Sequence, residues 1–201
     1  SYGSESVAYT IASGNTLVVS NNFRVTQSGG GSGDARVSMN GGTIEVKGNI
    51  KADSASTGEG PAGGSTVLLL NGNAAQQYDC QWGSFPVLKI DTTGSVSPAA
   101  GTTNLGTSGF ILNAGAFTAP TKVWTLSGGD FTVSGGTFHH NGGTLRFFEP
   151  VVYYAAWTRN INIPATLYLW NLTYDASGLW GPESVAYTIT AGKTLVVSNS
   201  F

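Results

Sequence analysis

NGGTIEVKG, residues Asn40 to Gly48, sets the reading of the whole chain. On an extended backbone Ile44 and Val46 face one way and Glu45 and Lys47 the other, with glycines on either side. Period-two alternation bounded by Asn and Gly is the mark of a half-buried strand and its turns. The phrase returns as NGGTLRFFE at Asn141 to Glu149, and DFTVSGG at Asp130 to Gly136 puts Phe131 and Val133 on one face. Most of the 29 glycines fall in clusters between such runs, SGGGSG at Ser28 to Gly33 among them. No segment carries a capped 3.6-residue apolar period, so the chain is read as all-β.

A longer repeat frames these echoes. ESVAYTIASGNTLVVSNNF, Glu5 to Phe23, returns as ESVAYTITAGKTLVVSNSF, Glu183 to Phe201; 15 of 19 positions are identical at a constant offset of 183 − 5 = 178. FPVLKIDTTG at Phe85 is matched by LYLWNLTYDASG at Leu167, with Lys89 and Ile90 where Asn171 and Leu172 fall. The period therefore holds two divergent half-units, residues 40–140 and residues 141–201 continuing as 24–39 of the next copy. Residues 1–201 are expected to be one continuous segment, a full period plus the first strands of another. A chain whose equivalent terminal strands join subunits end to end fits equally.

Short strands with glycine corners suit a parallel β-solenoid, in which each strand lies on its counterpart one turn earlier. At roughly 20–25 residues per coil, the period predicts about eight coils. The alternative is tandem immunoglobulin-like sandwiches of about 100 residues each. The cysteine and tryptophan hallmarks of that fold are missing from the sequence, as is a regular ladder of two-residue hairpin turns.

GGTFHHNGGTLRFF at Gly135 to Phe148, then LYLWNLTYD and ITAGKTLVV, resembles the tandem β-strand repeats of large bacterial extracellular surface and adhesin-type β-solenoid proteins. Both half-units share the rhythm, the second more closely, while residues 58–64 and 151–159 depart from it and are expected to be loops or protruding rungs. The resemblance implies an extracellular structural or adhesive role and no catalytic residue.

Composition agrees with that class. Apolar residues make up 40% of the chain and charged residues only 10%, against roughly 25% charged in a typical soluble domain. A net charge of −2 and no basic patch argue against nucleic acid as a partner. The longest apolar runs, such as VLLL at Val67 to Leu70, are too short for membrane insertion. Low charge, many hydroxyls and one cysteine suit an extracellular or cell-surface protein, with any export signal expected outside these residues. Cys80 is alone, so it is read as a small buried apolar residue rather than a disulfide or zinc ligand.

Chemistry is scarce. The closest pair among the eleven acids, Asp53 and Glu59, are six apart, and no DD, DxD or DxxD occurs. A polysaccharide lyase or hydrolase would need acids brought together by stacking, Asp34 and Asp53 for example. His139 and His140 are neighbours that point to opposite faces of a strand, so they do not chelate one metal together. GGGSGDA at Gly29 to Ala35 has its aspartate at the wrong offset for a calcium-binding nonapeptide, and no copy follows. No enzyme, cofactor or metal is expected.

Two binding surfaces remain. Repeated end strands place Val7, Tyr9, Ile11, Leu17 and Val19 beside their copies Val185, Tyr187, Ile189, Leu195 and Val197 as an end-to-end interface between copies of the chain. The aromatic-rich stretch from Tyr153 to Trp180 supplies Tyr154, Trp157, Tyr168, Trp170 and Trp180 as candidate contacts for cell-surface glycans, since aromatic faces take up sugar rings by apolar contact. The structural reading of the same rings is a filled coil or an interface between copies.

Overall fold

The computed structural model describes residues 6–27, 36–54, 64–80, 83–149, 156–177 and 184–201. Among them the backbone forms eighteen strands and no helix. Every strand pairing is parallel. The chain is a β-solenoid; the immunoglobulin-like alternative, built on antiparallel sheets, is set aside.

Each turn has three faces. β1 (Ser6–Thr10), β2 (Thr16–Val19) and β3 (Phe23–Gln27) are covered in order by β4 (Arg36–Asn40), β5 (Thr43–Val46) and β6 (Ile50–Ser54). β7 (Val67–Leu70) and β8 (Gln76–Cys80) continue the second and third faces. β9 (Phe85–Pro98) and β10 (Leu105–Thr118) are long strands that round the corners. Three segments of β10 carry β11 (Val123–Ser127), β12 (Phe131–Val133) and β13 (Thr137–His139) on the three faces in turn. β14 (Thr144–Phe148) returns to the first face and β15 (Ala156–Asn162) to the second. β16 (Thr166–Asp175) rounds from the third face onto the first, where Asn171–Asp175 lie on β14. β17 (Ser184–Ile189) covers β15, and β18 (Thr194–Ser200) covers β16.

One inward column on the second face runs the length of the stack: Leu17, Ile44, Leu68, Leu88, Phe110, Phe131, Ile161 and Ile189 are successive partners. Seven steps cover 189 − 17 = 172 residues. The 178-residue repeat thus spans a little over seven turns rather than the expected eight. The widest spacings between column partners are 27, 30 and 28 residues, from Leu17 to Ile44, Phe131 to Ile161 and Ile161 to Ile189. Of the segments expected to be loops or protruding rungs, Ala156–Arg159 belongs to strand β15, while residues 58–63 and 151–155 lie outside the described residues.

Inward positions alternate as the sequence pattern requires. Leu68, Leu70, Leu88, Ile90, Phe110 and Leu112 are wholly buried, each contributing roughly 1.5–3 kcal/mol of transfer free energy. In the middle turns the filling becomes aromatic, with Phe110 meeting Trp124 edge-on at 4.6 Å and stacking on Phe131 at 5.5 Å. The Trp124 indole N–H donates to the Thr107 hydroxyl at 3.0 Å, so its polar atom is satisfied inside the coil. The buried Gln76 amide accepts the Gly72 N–H at 2.8 Å and donates to the Val46 carbonyl at 3.1 Å, tying one corner to the turn beneath.

Candidate functional site

The repeated segment adopts one local conformation at both positions. In the first copy the Asn15 N–H donates to the Ala12 carbonyl at 3.0 Å; in the second Lys193 donates to Thr190 at 3.1 Å. Gly14 and Gly192 turn the corner at φ of 81° and 75°, a conformation that favours glycine. Among the described residues β1 pairs with β4 alone and β17 with β15 alone, so the two copies occupy opposite ends of the stack.

Their surroundings differ. Tyr9, Leu17 and Val18 are 61%, 53% and 55% exposed, whereas their copies Tyr187, Leu195 and Val196 are half-buried. Ile11, Val19, Leu195 and Val197 pack against the core from its two ends. Val185 is half-buried and Ile189 exposed, and Val7 pairs through its backbone with Val37. The faces differ too. Ile189 stands in the column of Leu17, but the sequence copy of Leu17 is Leu195, six residues further on. β1 lies on the first face and its copy β17 on the second; β2 lies on the second and β18 on the third. A repeat is therefore a third of a turn out of phase with its predecessor.

The second copy sits on a specific seat. β15 receives β17 in the register Trp157 to Val185, Arg159 to Tyr187 and Ile161 to Ile189; β16 receives β18 with Leu167 on Leu195 and Leu169 on Val197. At its centre is a buried charge. Arg159 grips the Glu149 carboxylate through Nη2 to Oε2 at 2.8 Å and Nε to Oε1 at 3.1 Å, and the Tyr187 hydroxyl also donates to Oε1 at 2.9 Å. Burial first, and then the Glu149 carboxylate, push the Tyr187 hydroxyl above its ordinary pKa. Rings of Tyr174 and Phe147 close over the Tyr187 ring at 4.5 and 5.3 Å.

Glu149 and Arg159 are absent from the sequence-derived site. One signal was available: Leu145, Phe147 and Glu149 share the inward parity of a single strand, and an acid in an apolar column implies a buried partner.

Comparison with protein-family models, curated proteins and solved structures finds no match. What the site does follows from its own geometry.

Other expected positions are scattered. Among the described residues no three His, Cys, Asp or Glu side chains gather as a metal site. Asp53 and Asp79 are bridged by Lys51 at 3.1 and 2.6 Å, an ion ladder across stacked strands; Asp34 and Glu59 lie outside the described residues. Cys80 is buried, which pushes its thiol up to about 11, and its S–H donates to the Gly83 carbonyl at 2.7 Å. His139 is exposed, while the His140 ring stacks on Trp170 at 5.8 Å and accepts the Gly142 N–H at 3.0 Å.

Of the candidate glycan contacts, Tyr154 and Trp180 lie outside the described residues. Trp157, on β15, is exposed with the Arg159 guanidinium 5.0 Å over its ring; Tyr168 and Trp170, on β16, are 59% and 40% exposed. β13 pairs with β10 and not with β16. The gap between them is a shallow depression lined by Phe138, His140, Thr166 and Tyr168.

Proposed function

We propose that this chain is a structural repeat module of an extracellular fibre, filament or surface stalk, joined end to end through β1–β2 and β17–β18. The observation that carries this reading is that β17 and β18, the sequence copies of β1 and β2, cover β15 and β16. Stacked coils gain stability from each neighbour they cover, and an uncovered strand edge invites pairing. The low charge density and hydroxyl-rich surface support an extracellular setting.

The test is a chain carrying one additional 178-residue period. Small-angle scattering is expected to give a single straight rod of about twice the length. Two bodies tumbling independently about a hinge overturn the proposal.

The depression between β13 and β16 favours a second reading, a glycan-binding adhesin repeat using Tyr168 and His140 in the depression and Trp170 stacked on His140 beside it. Binding on a glycan array that is lost in Tyr168→Ala and Trp170→Ala supports it; an array without hits removes it.

A further inference from the structure

We propose that the surface of β15 and β16 is a docking seat for residues 5–23 of a second copy of this chain, so that one 19-residue segment serves both molecules at the joint. This rests on the end-to-end reading and adds the seat, the register and the rotation.

The incoming segment matches the resident one where they touch the seat. The four differences, Ala12 for Thr190, Ser13 for Ala191, Asn15 for Lys193 and Asn22 for Ser200, are all exposed in both copies. Every inward residue is identical. The register of the resident segment sets Tyr9 over Arg159, Ile11 over Ile161 and Leu17 over Leu167. Tyr9 then takes the place of Tyr187 as donor to Glu149. The exposed Tyr9, Leu17 and Val18 are covered.

The outer side of the joint matches as well. In the first coil β4 lies on β1 with Ser38 beside Ala8, and β5 lies on β2. A segment held between the seat of one molecule and β4–β5 of the next has both edges paired. Two separate molecules make the same two interfaces with two ordered segments; the joint makes them with one. Releasing the other returns the conformational entropy of nineteen residues, which favours sharing. The second molecule is rotated by one face, because the seat lies on the second and third faces while β1 and β2 lie on the first and second.

Cysteine pairs in the full chain test this. Ala8, Thr158 and Ala186 are exposed, and Ala186 is the partner of Thr158. Neighbouring parallel strands are about 4.8 Å apart, within disulfide reach. Ala8→Cys with Thr158→Cys puts the two thiols at opposite ends of one molecule, so a bond forms only between molecules. On oxidation with diamide, non-reducing gels are expected to show a ladder at least tenfold stronger than wild type, and a synthetic 183–201 peptide is expected to suppress it. Ser38→Cys with Ala186→Cys reports the same joint when the retained segment is 183–201. Thr158→Cys with Ala186→Cys closes within one molecule and shows that the variants fold. A ladder from Ala8→Cys with Ala186→Cys alone means that intact ends stack without exchange; it overturns the shared segment and leaves the end-to-end reading standing. No ladder from any intermolecular pair in a folded chain overturns the inference, while the two-period rod measurement judges the end-to-end reading separately.

Discussion

Removing the Glu149 carboxylate strands Arg159, whose side chain is only 12% exposed. An unpartnered buried charge costs about 3–5 kcal/mol, so Glu149→Ala is expected to lose that much in urea unfolding. Tyr187→Phe removes a single hydrogen bond to a charged acceptor and is expected to cost about 1.5–3 kcal/mol. Equal, small losses from both would mean that water reaches the pair. A second residue adds to the acid sensitivity. Ser177, through its hydroxyl and its backbone N–H, and then the Arg146 guanidinium hold the Asp175 carboxyl down to about 2 from an ordinary 3.8. A depressed folded-state pKa adds stability that is present above the unfolded value and lost as pH falls through the folded one. Thermal melts are therefore expected to drop between about pH 4 and pH 2, with a shallower drop in Asp175→Asn. Neither residue's partner was legible in the sequence. Parity places Glu149 inward, but its partner lies across residues 150–155, and Asp175 meets Arg146 only because the coil stacks residues 29 apart.

Strand elements were more legible where each occupies one face. β5, β12 and β14 fall where the alternation of Ile44 with Val46, Phe131 with Val133 and Leu145 with Phe147 puts them. β9 and β10 were not, because glycine marks both the end of a strand and a bend within one. Gly94, Gly109 and Gly115 lie inside continuous strands, and the pairing of the two strands shifts register between Leu112 and Ala116. Gly115 bends its strand at φ 85°, where a Cβ would meet the Thr92 side chain at 2.7 Å. Depth in the stack, not residue type, then decides what an element is worth. Phe110 and Leu17 share one column, yet the first is wholly buried and the second half-exposed. Phe110→Ala is expected to cost about 3–5 kcal/mol, and Leu17→Ala well under half of that, in urea titrations of the isolated chain. When the Leu17 edge is covered in an assembled joint, its substitution is expected to weaken association rather than monomer stability.

At the scale of the molecule, the phase of the repeats follows from what the three faces have in common. β5 of NGGTIEVKG lies on the second face, while β14 of its echo NGGTLRFFE lies on the first. Ile90 stands on the second face and its counterpart Leu172 on the first. From the first half-unit to the second the pattern thus steps back one face; a like step to the next copy makes two, and two backward steps on a three-faced coil equal one forward step. That is the shift between β1 and β17. Such slippage is tolerated because each face asks only for inward apolar residues and a glycine corner, so a copied strand fits any of them. A three-period chain is therefore expected to have screw symmetry. Successive copies of Trp170 would be related by a third of a turn and a rise of roughly 35 Å, seven and a third turns at about 4.8 Å each. Cryo-electron microscopy of that chain would resolve both quantities. Copies of Trp170 aligned along one face would mean a whole number of turns per period, and the rotation inferred for the joint would fall with the symmetry.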